Sequence, residues 1–276
     1  MPRFRTAPPA HILIALALLA VVAFDGCASA KRATQRPVEM GDAEERVLGA
    51  RVAAAYEDSE TVYVDRQVTG YVNQIGQKLA RLSDRPTIPY TFRVLRGDTP
   101  RGLALPGGYI YVSVGTLRQL RSQCEVAAVL AHMMAHATLG HPAKALERVD
   151  GVGPEGIREI LGASDRREGV ERARVALRGL KGYPREWESA ADKLTLLYLS
   201  RVGFTSEGYP RSMEAFLPPA TRGLGTYWET PDDRETPLDR RLSAVRAEYS
   251  SMGLDAGLPC EQQPYAPVRD RLGESP

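Results

Sequence analysis

E-V-A-A-V-L-A-H-M-M-A-H-A-T-L-G-H, residues 125–141 of this 276-residue chain, is the stretch that decides the fold. Small and apolar side chains fall on nearly every side of a helix drawn through it, so we predict a central, buried helix over residues 125–139. Two histidines interrupt its apolar surface, His132 and His136. At this spacing they project from one helix face about one turn apart and can converge on one metal ion. The alternative is a pair of buried histidines that hydrogen-bond to backbone carbonyls.

A third candidate ligand lies in the next strongly helical segment, predicted over residues 186–202. Glu188 stands near its start, and Asp192 follows one turn later. Two histidines and one glutamate form the donor set of open catalytic zinc sites, which keep a fourth position for water. We therefore predict one zinc ion held by His132, His136 and Glu188. Asp192 is predicted to orient a ligand imidazole from behind, and the alternative for both acids is an exposed helix face.

The rest of the chain predicts more helices and few strands. Residues 90–95 and 109–114 alternate in the manner of strands, and residues 105–108, Leu-Pro-Gly-Gly, form a turn between them. Helical spacing recurs in residues 41–55, 68–82, 213–216 and 238–252. In the basic, polar region of residues 144–181 we expect short surface helices that form a cover or lid.

Composition excludes few classes of function. The chain carries a formal net charge of +2 and is 43% hydrophobic and 25% charged, as is ordinary for one globular domain. No concentrated basic surface is evident, so we expect no nucleic-acid partner. The predicted domain covers residues 41–252, after a polar linker at residues 28–40. The Pro-rich tail at residues 253–276 is expected to be disordered.

Residues 1–27 have the pattern of an export signal. Arg3 and Arg5 precede an apolar run at residues 12–24, which is short for a membrane span. The sequence Phe-Asp-Gly-Cys at residues 24–27 is similar to a lipoprotein signal, in which Cys27 would carry the lipid. Ordinary cleavage near residues 28–30 and an uncleaved anchor are the alternatives. We expect a periplasmic lipoprotein of the outer membrane.

The remaining cysteines are Cys124 and Cys260. A periplasmic location permits a disulfide between them. Because one begins an apolar helix and the other lies in the tail, buried or free thiols are the favoured expectation.

Three motifs together resemble the gluzincin-type zinc metallopeptidase family of HtpX and the CAAX prenyl proteases, in particular its periplasmic BepA-like branch. The family's H-E-x-x-H corresponds to H-M-M-A-H at residues 132–136. Its N-A-F-A-L-P-G-G-x-I-Y-V is similar to R-G-L-A-L-P-G-G-Y-I-Y-V at residues 101–112, and its E-x-x-A-D falls on residues 188–192. Order and spacing agree. The resemblance covers residues 42–252 and implies a zincin-like α+β fold with a small mixed sheet beside the metal-binding helix.

The resemblance also implies a substrate cleft and partners. The strand at residues 109–114 would edge the cleft and pair with an extended peptide through its backbone. The cleft residues are then Gly108, Tyr109, Ile110 and Tyr111, although the same strand can equally belong to the core. Envelope proteins or misfolded peptides are the implied partners.

Met133 is the departure that decides the predicted function. In the family a glutamate at this position takes a proton from the zinc-bound water. A thioether has no titratable proton and accepts hydrogen bonds weakly, and losing a general base costs roughly two to four powers of ten in rate. Glu125 lies about two helical turns before His132, too far to replace it. Glu186 remains open as a replacement, although an exposed position is favoured for it.

Other departures accompany Met133. Arg101 stands where the family has asparagine, and the family's His-Pro near the last helix is absent. Arg241 with Leu242 resembles the family's arginine-aliphatic pair, with a role in catalysis or in packing. His141, just past the end of the metal helix, is expected to be a surface or capping residue.

The favoured hypothesis is a zinc-binding pseudopeptidase that keeps the cleft with weak or no proteolysis. The alternatives are an active metalloendopeptidase in envelope protein quality control and a metal-free assembly or structural protein of the outer membrane. Copper is a remote alternative, because Met133 and Met134 carry soft sulfur ligands. Methionines on a buried helix are far more often packing residues.

Overall fold

The structure, a computed structural model, describes residues 40–180, 182–216, 238–254 and 265–273. This part of the chain is mostly helical and has one small mixed sheet, so the predicted α+β class is confirmed. The strands are β1 (Thr91–Leu95), β2 (Gly102–Leu105) and β3 (Tyr109–Ser113). The helices are α1 (Asp42–Glu57), α2 (Arg66–Arg81), α3 (Val114–Gln119), α4 (Gln123–Thr138), α5 (His141–Glu147), α6 (Gly153–Gly162), α7 (Arg166–Arg178), α8 (Arg185–Val202), α9 (Gly208–Glu214), α10 (Leu238–Ser251) and α11 (Ala266–Gly273).

The sheet has the strand order β1-β3-β2, with β3 parallel to β1 and antiparallel to β2. The predicted turn is present as a short 3-10 segment, Pro106–Gly108, between β2 and β3. Gly107 and Gly108 have φ values of 72° and 84°, a left-handed conformation that glycine adopts without a steric penalty. A Cβ on Gly108 would also lie 2.4 Å from Cγ2 of Ile88. Glycine is therefore required where the chain enters β3.

The position of β3 corrects the expectation that this strand edges the cleft. Both of its sides are paired, and Ile110 and Tyr111 are buried in the core. Gly108 and Tyr109 lie where the turn meets the strand. Within the described residues, β2 forms the sheet edge on this side. The sequence did not predict β2 because four residues, Gly-Leu-Ala-Leu, contain no β-branched or aromatic side chain.

Helix α4 is the centre of the fold. The side chain of Ser122 accepts a hydrogen bond from the backbone N–H of Glu125 and so caps its first turn. Every residue from Gln123 to Ala137 is buried, as predicted for a helix that is apolar on all sides. Helices α8 and α9 pack along α4, and the sheet lies beside it. Met133 and Met134 both belong to this core.

The basic region at residues 144–181 forms short helices, as predicted. Helix α7 packs on α1, and α6 contacts both. The guanidinium of Arg51 on α1 donates to the carbonyl oxygen of Ile160, and Arg174 pairs with Asp58 at 2.9 Å. These contacts fasten the region to α1. Its role as a lid stays a prediction.

Residues 265–273, within the tail that we expected to be disordered, are packed against the domain. Helix α11 docks against α2 and α3, and Tyr265 immediately before it is buried. The Tyr265 hydroxyl donates to the carbonyl oxygen of Leu117 at 2.6 Å, and its ring stacks on Tyr71. Arg271 forms an ion pair with Asp65 at 2.6 Å. Two aromatic rings and an ion pair give this short segment the packing that its composition does not suggest.

Cys124 is disulfide-bonded, so the expectation of a free thiol is wrong. Cys27 and Cys260 both lie outside the described residues, as do the predicted signal and linker segments at residues 1–39. In the part of the chain that is described, none of the helices combines the length and the apolar character that crossing a bilayer requires.

Candidate metal centre

The three predicted ligands meet in the interior of the protein. The Nε2 atoms of His132 and His136 lie 3.1 Å apart. Glu188 Oε2 lies 3.3 Å from His132 Nε2 and 3.5 Å from His136 Nε2. Tetrahedral zinc with ligands at roughly 2.0–2.1 Å requires ligand atoms about 3.3 Å apart. The triangle therefore has the size that one zinc ion needs.

Two helices build this triangle. The histidines lie one turn apart on α4, and α8 packs along α4 so that Glu188 in its first turn faces them. All three side chains are buried. Oε2 of Glu188 has no hydrogen bond of acceptable geometry, although charged and polar nitrogens surround it. A buried carboxylate oxygen that points at two imidazole nitrogens fits a metal ligand.

Tyr209 supports His132 from behind, a role that we predicted for Asp192. The Tyr209 hydroxyl lies 2.9 Å from His132 Nδ1 and donates to Asp192 Oδ1 at 2.5 Å. Asp192 itself is 3.6 Å from Nδ1, so it acts through the phenol. Because the phenol donates to the carboxylate, its oxygen accepts from Nδ1–H of His132. That tautomer leaves the Nε2 lone pair free for a metal ion.

Arg241 of α10 joins the two carboxylates of α8. Its Nη2 lies 2.6 Å from Glu188 Oε2 and 2.6 Å from Asp192 Oδ1, and its Nε lies 3.1 Å from Asp192 Oδ2. Burial alone would raise the pKa of Glu188, but the positive charge of Arg241 and the contacts with His136 and His132 together outweigh it and hold that pKa well below its usual value. Burial lowers the pKa of His132 to about 4. The site thus favours an ionised Glu188 beside a neutral His132, the protonation states that metal binding needs.

His141 supports the other ligand, which corrects its expected place at the surface. It is buried, and its Nδ1 lies 2.9 Å from Nδ1 of His136. Burial, followed by the proximity of His136, lowers the pKa of His141 to about 3. A neutral His141 can accept from Nδ1–H of His136 and leave Nε2 of that ligand facing the triangle. Gly140, with φ of 69°, turns the chain so that a residue beyond the end of α4 folds back onto it.

Aromatic rings complete the surroundings of His136. Tyr183 stacks on His136 with 4.2 Å between ring centroids, and Trp187 stacks on His141 with 4.8 Å. The guanidinium of Arg148 lies 4.2 Å from the centroid of the Trp187 ring. The Tyr183 hydroxyl donates to the carbonyl oxygen of Ala104 in β2 at 3.4 Å. This stack connects the metal triangle with the edge strand of the sheet.

The structure shows where the carboxylates lie that could act as a general base. Both acids at the triangle, Glu188 and Asp192, are paired with Arg241. Glu125 accepts from the backbone N–H of Arg121 at 2.7 Å and so serves the start of α4. Glu186 is exposed and stands two residues before Glu188, which turns it to another face of α8.

Sequence comparisons agree with this geometry. Residues 66–213, more than half of the chain, match the sequence profile of peptidase family M48. The beta-barrel assembly-enhancing protease of Escherichia coli strain K12 is 23% identical over 183 residues, 63% of this chain and 38% of that protein. Its counterpart in Yersinia pestis is 24% identical over 196 residues, 68% of this chain and 39% of that protein.

A third relative is the mitochondrial metalloendopeptidase OMA1 of Schizosaccharomyces pombe, 31% identical over 96 residues, which cover 33% of this chain and 28% of that protein. The chain thus spans less than two fifths of the length of these three relatives.

Proposed function

The chain belongs to peptidase family M48, and from that premise we propose that it is a zinc-binding pseudopeptidase, which keeps the family's metal site and cleft with weak or no proteolysis. Members of the family are zinc metalloproteases. One combination of features carries the proposal: a metal-sized triangle of His132, His136 and Glu188, next to Met133 where the family has its general base.

The ligands and their supports suit zinc. His132, His136 and Glu188 would hold the ion, with Tyr209 and His141 fixing the two imidazoles through their Nδ1 atoms. Bound zinc would supply Lewis acidity and lower the pKa of water to about 7. Removing and returning a proton then requires a basic side chain on the open face of the site. Met133 is buried in the core and cannot do this.

A peptide partner would lie along β2. Among the described residues this strand is paired on one side only, and the Tyr183 hydroxyl donates to its Ala104 carbonyl. Backbone pairing at a sheet edge depends little on the side chains of the bound peptide. Such low sequence specificity suits misfolded or envelope proteins as partners. If hydrolysis is weak, a peptide bound at such a site would usually dissociate before it is cleaved.

We also propose an envelope location. The predicted export signal and the lipoprotein-like sequence ending at Cys27 support a periplasmic protein anchored to the outer membrane through a lipid on that cysteine. The names of the bacterial relatives, which refer to beta-barrel assembly, support the same compartment. Globomycin treatment, which blocks lipoprotein signal cleavage, should leave a larger precursor. Normal processing in its presence would contradict the lipid anchor.

The function is tested by restoring the missing base. We expect wild type and Met133→Glu to bind one zinc per chain by elemental analysis. We expect only Met133→Glu to digest casein appreciably, about 100-fold to 10,000-fold faster than wild type, the usual contribution of a general base. Met133→Gln is the matched control, because the glutamine side chain has the shape of glutamate but lacks a carboxylate that could accept the proton. Melting curves of the three proteins separate a loss of folding from a loss of chemistry.

The other outcomes select the alternatives. Efficient casein digestion by wild type that His136→Ala abolishes would establish an active metalloendopeptidase and refute the pseudopeptidase. Absence of zinc from both wild type and Met133→Glu would favour a metal-free assembly or structural protein.

A further inference from the structure

Arg241 is in direct contact with the metal triangle. Its Nη2 is 2.6 Å from the ligand oxygen of Glu188 and 3.3 Å from the ligand nitrogen of His132. The same atom contacts Asp192, and all these side chains are buried. Arg241 also lies outside residues 66–213, the part that matches the family profile. A cation thus touches two of the three proposed ligands.

The charges of the site explain why a cation is needed there. Glu188 and Asp192 place two carboxylates in the interior, one turn apart on α8. An unpaired buried carboxylate is strongly destabilising. A guanidinium forms a planar fork with several donors, and this one reaches both acids at once. Without metal, Arg241 is the charged side chain that compensates both.

We propose that Arg241 is a built-in counter-ion of the metal site, which holds Glu188 in place before metal binds and competes with the metal ion for Oε2 of Glu188. The proposal rests on the zinc-binding function proposed above. It gives Arg241 a positioning role and a role in setting metal affinity.

Arg241 can keep its contact with Asp192 when metal binds. It contacts Asp192 with two nitrogens, Nη2 at 2.6 Å from Oδ1 and Nε at 3.1 Å from Oδ2. With Glu188, the contact of Nη2 with Oε2 is 2.6 Å. A divalent ion at the triangle would repel the guanidinium at close range. Arg241 can then give up Glu188 and keep both contacts with Asp192.

Neutral substitution at this position tests the proposal. In the full chain, Arg241→Met keeps the length of the side chain without its charge, and exposed Arg240→Met on the same helix is the matched control. We expect Arg241→Met to lower the melting temperature of EDTA-treated protein while its zinc affinity rises by about tenfold or more. Zinc affinity is measured by competition with a chromogenic chelator. Arg240→Met should change neither quantity.

Arg241→Lys separates charge from shape. It keeps the positive charge, so its zinc affinity should stay nearer to wild type than that of Arg241→Met. If Arg241→Met does not fold after EDTA treatment, it is refolded with zinc present, and the proposal requires zinc to restore the folded protein. Failure of zinc to do so would overturn the proposal.

Two further results would overturn it. One is an unchanged melting temperature of metal-free Arg241→Met; the other is a zinc affinity equal to or below that of wild type. Failure of wild type to bind zinc would instead refute the proposed function, and the melting temperature of metal-free Arg241→Met would still test the counter-ion role.

Discussion

His132 and His136 belong to the same helix and face the same point, yet their surroundings differ. Behind His132 lies a charged network in which Tyr209 bridges to Asp192 and Arg241. Behind His136 lies a neutral arrangement of stacked rings, in which His141 is the hydrogen-bonding partner. One ligand is supported by a network with charged side chains, and the other by stacked rings and an imidazole hydrogen bond.

The surroundings of the two histidines should respond differently to substitution. In a buried charged network, removing one member leaves the others without compensation, so the loss is large. In an aromatic stack, a ring of similar shape can replace another and keep most of the contact. We therefore expect the His132 side to be brittle and the His136 side to be tolerant, and three substitutions test this in order of decreasing effect.

The largest effect is expected for Asp192→Ala. It leaves the buried Arg241 with Glu188 as its remaining charged partner among those described and removes the acceptor of the Tyr209 hydroxyl. Breaking a buried ion pair from one side costs about 3–5 kcal/mol in unfolding free energy. Urea unfolding of metal-free protein measures it. Glu186→Ala, exposed on the same helix, should lie within about 0.5 kcal/mol of wild type, and a similarly small loss for Asp192→Ala would show that the network is not brittle.

Tyr209→Phe should have the next largest effect. It keeps the ring and removes only the oxygen that accepts from His132 Nδ1. Loss of such a supporting hydrogen bond lowers metal affinity by about 10-fold to 100-fold, and we expect the upper part of this range because Asp192 also loses a partner. Chelator competition measures the zinc affinity. Tyr249→Phe, half-buried on α10, serves as the control; equal affinities for all three proteins would exclude Tyr209 as a support.

His141→Phe should have the smallest effect. It preserves an aromatic ring against Trp187 and Tyr183 and removes the Nδ1 acceptor that His136 uses. We expect zinc affinity to fall about tenfold, the lower end for such supports. His141→Gln, which can still accept a hydrogen bond, should recover part of the loss. A drop larger than that of Tyr209→Phe would reverse the comparison between the two sides.

Much of the fold could be predicted from the sequence because its signals are local. The apolar stretch at residues 125–141 predicted α4, and alternation predicted β1 and β3. The Pro-Gly-Gly turn followed from backbone stereochemistry. The same local reasoning missed β2 and α11, which are short and whose stability comes from distant partners, such as Leu117 for Tyr265. The family resemblance led us to place β3 at the edge of the cleft, and local periodicity, which does not reveal strand order, could not correct this.

For the candidate site, the sequence by itself determined which side chains could reach one point. The spacing of His132 and His136 is fixed by the helical repeat, and a glutamate one segment later completed a donor set. It also determined that Met133 has no proton to exchange. Each of these is a property of one residue or of one helix.

Only the tertiary structure decided what stands behind the ligands. Tyr209 reaches His132 across 77 positions of sequence and Arg241 across 109, and His141 turns back from a helix end to the interior. No periodicity within one segment encodes such contacts, because they depend on how α8, α9 and α10 pack around α4. Packing brought a phenol, a guanidinium and a third imidazole to the back of the triangle. Burial there raises the pKa of the Tyr209 phenol and lowers that of the His141 imidazole, whereas Asp192 and Glu188 keep the Arg241 guanidinium charged.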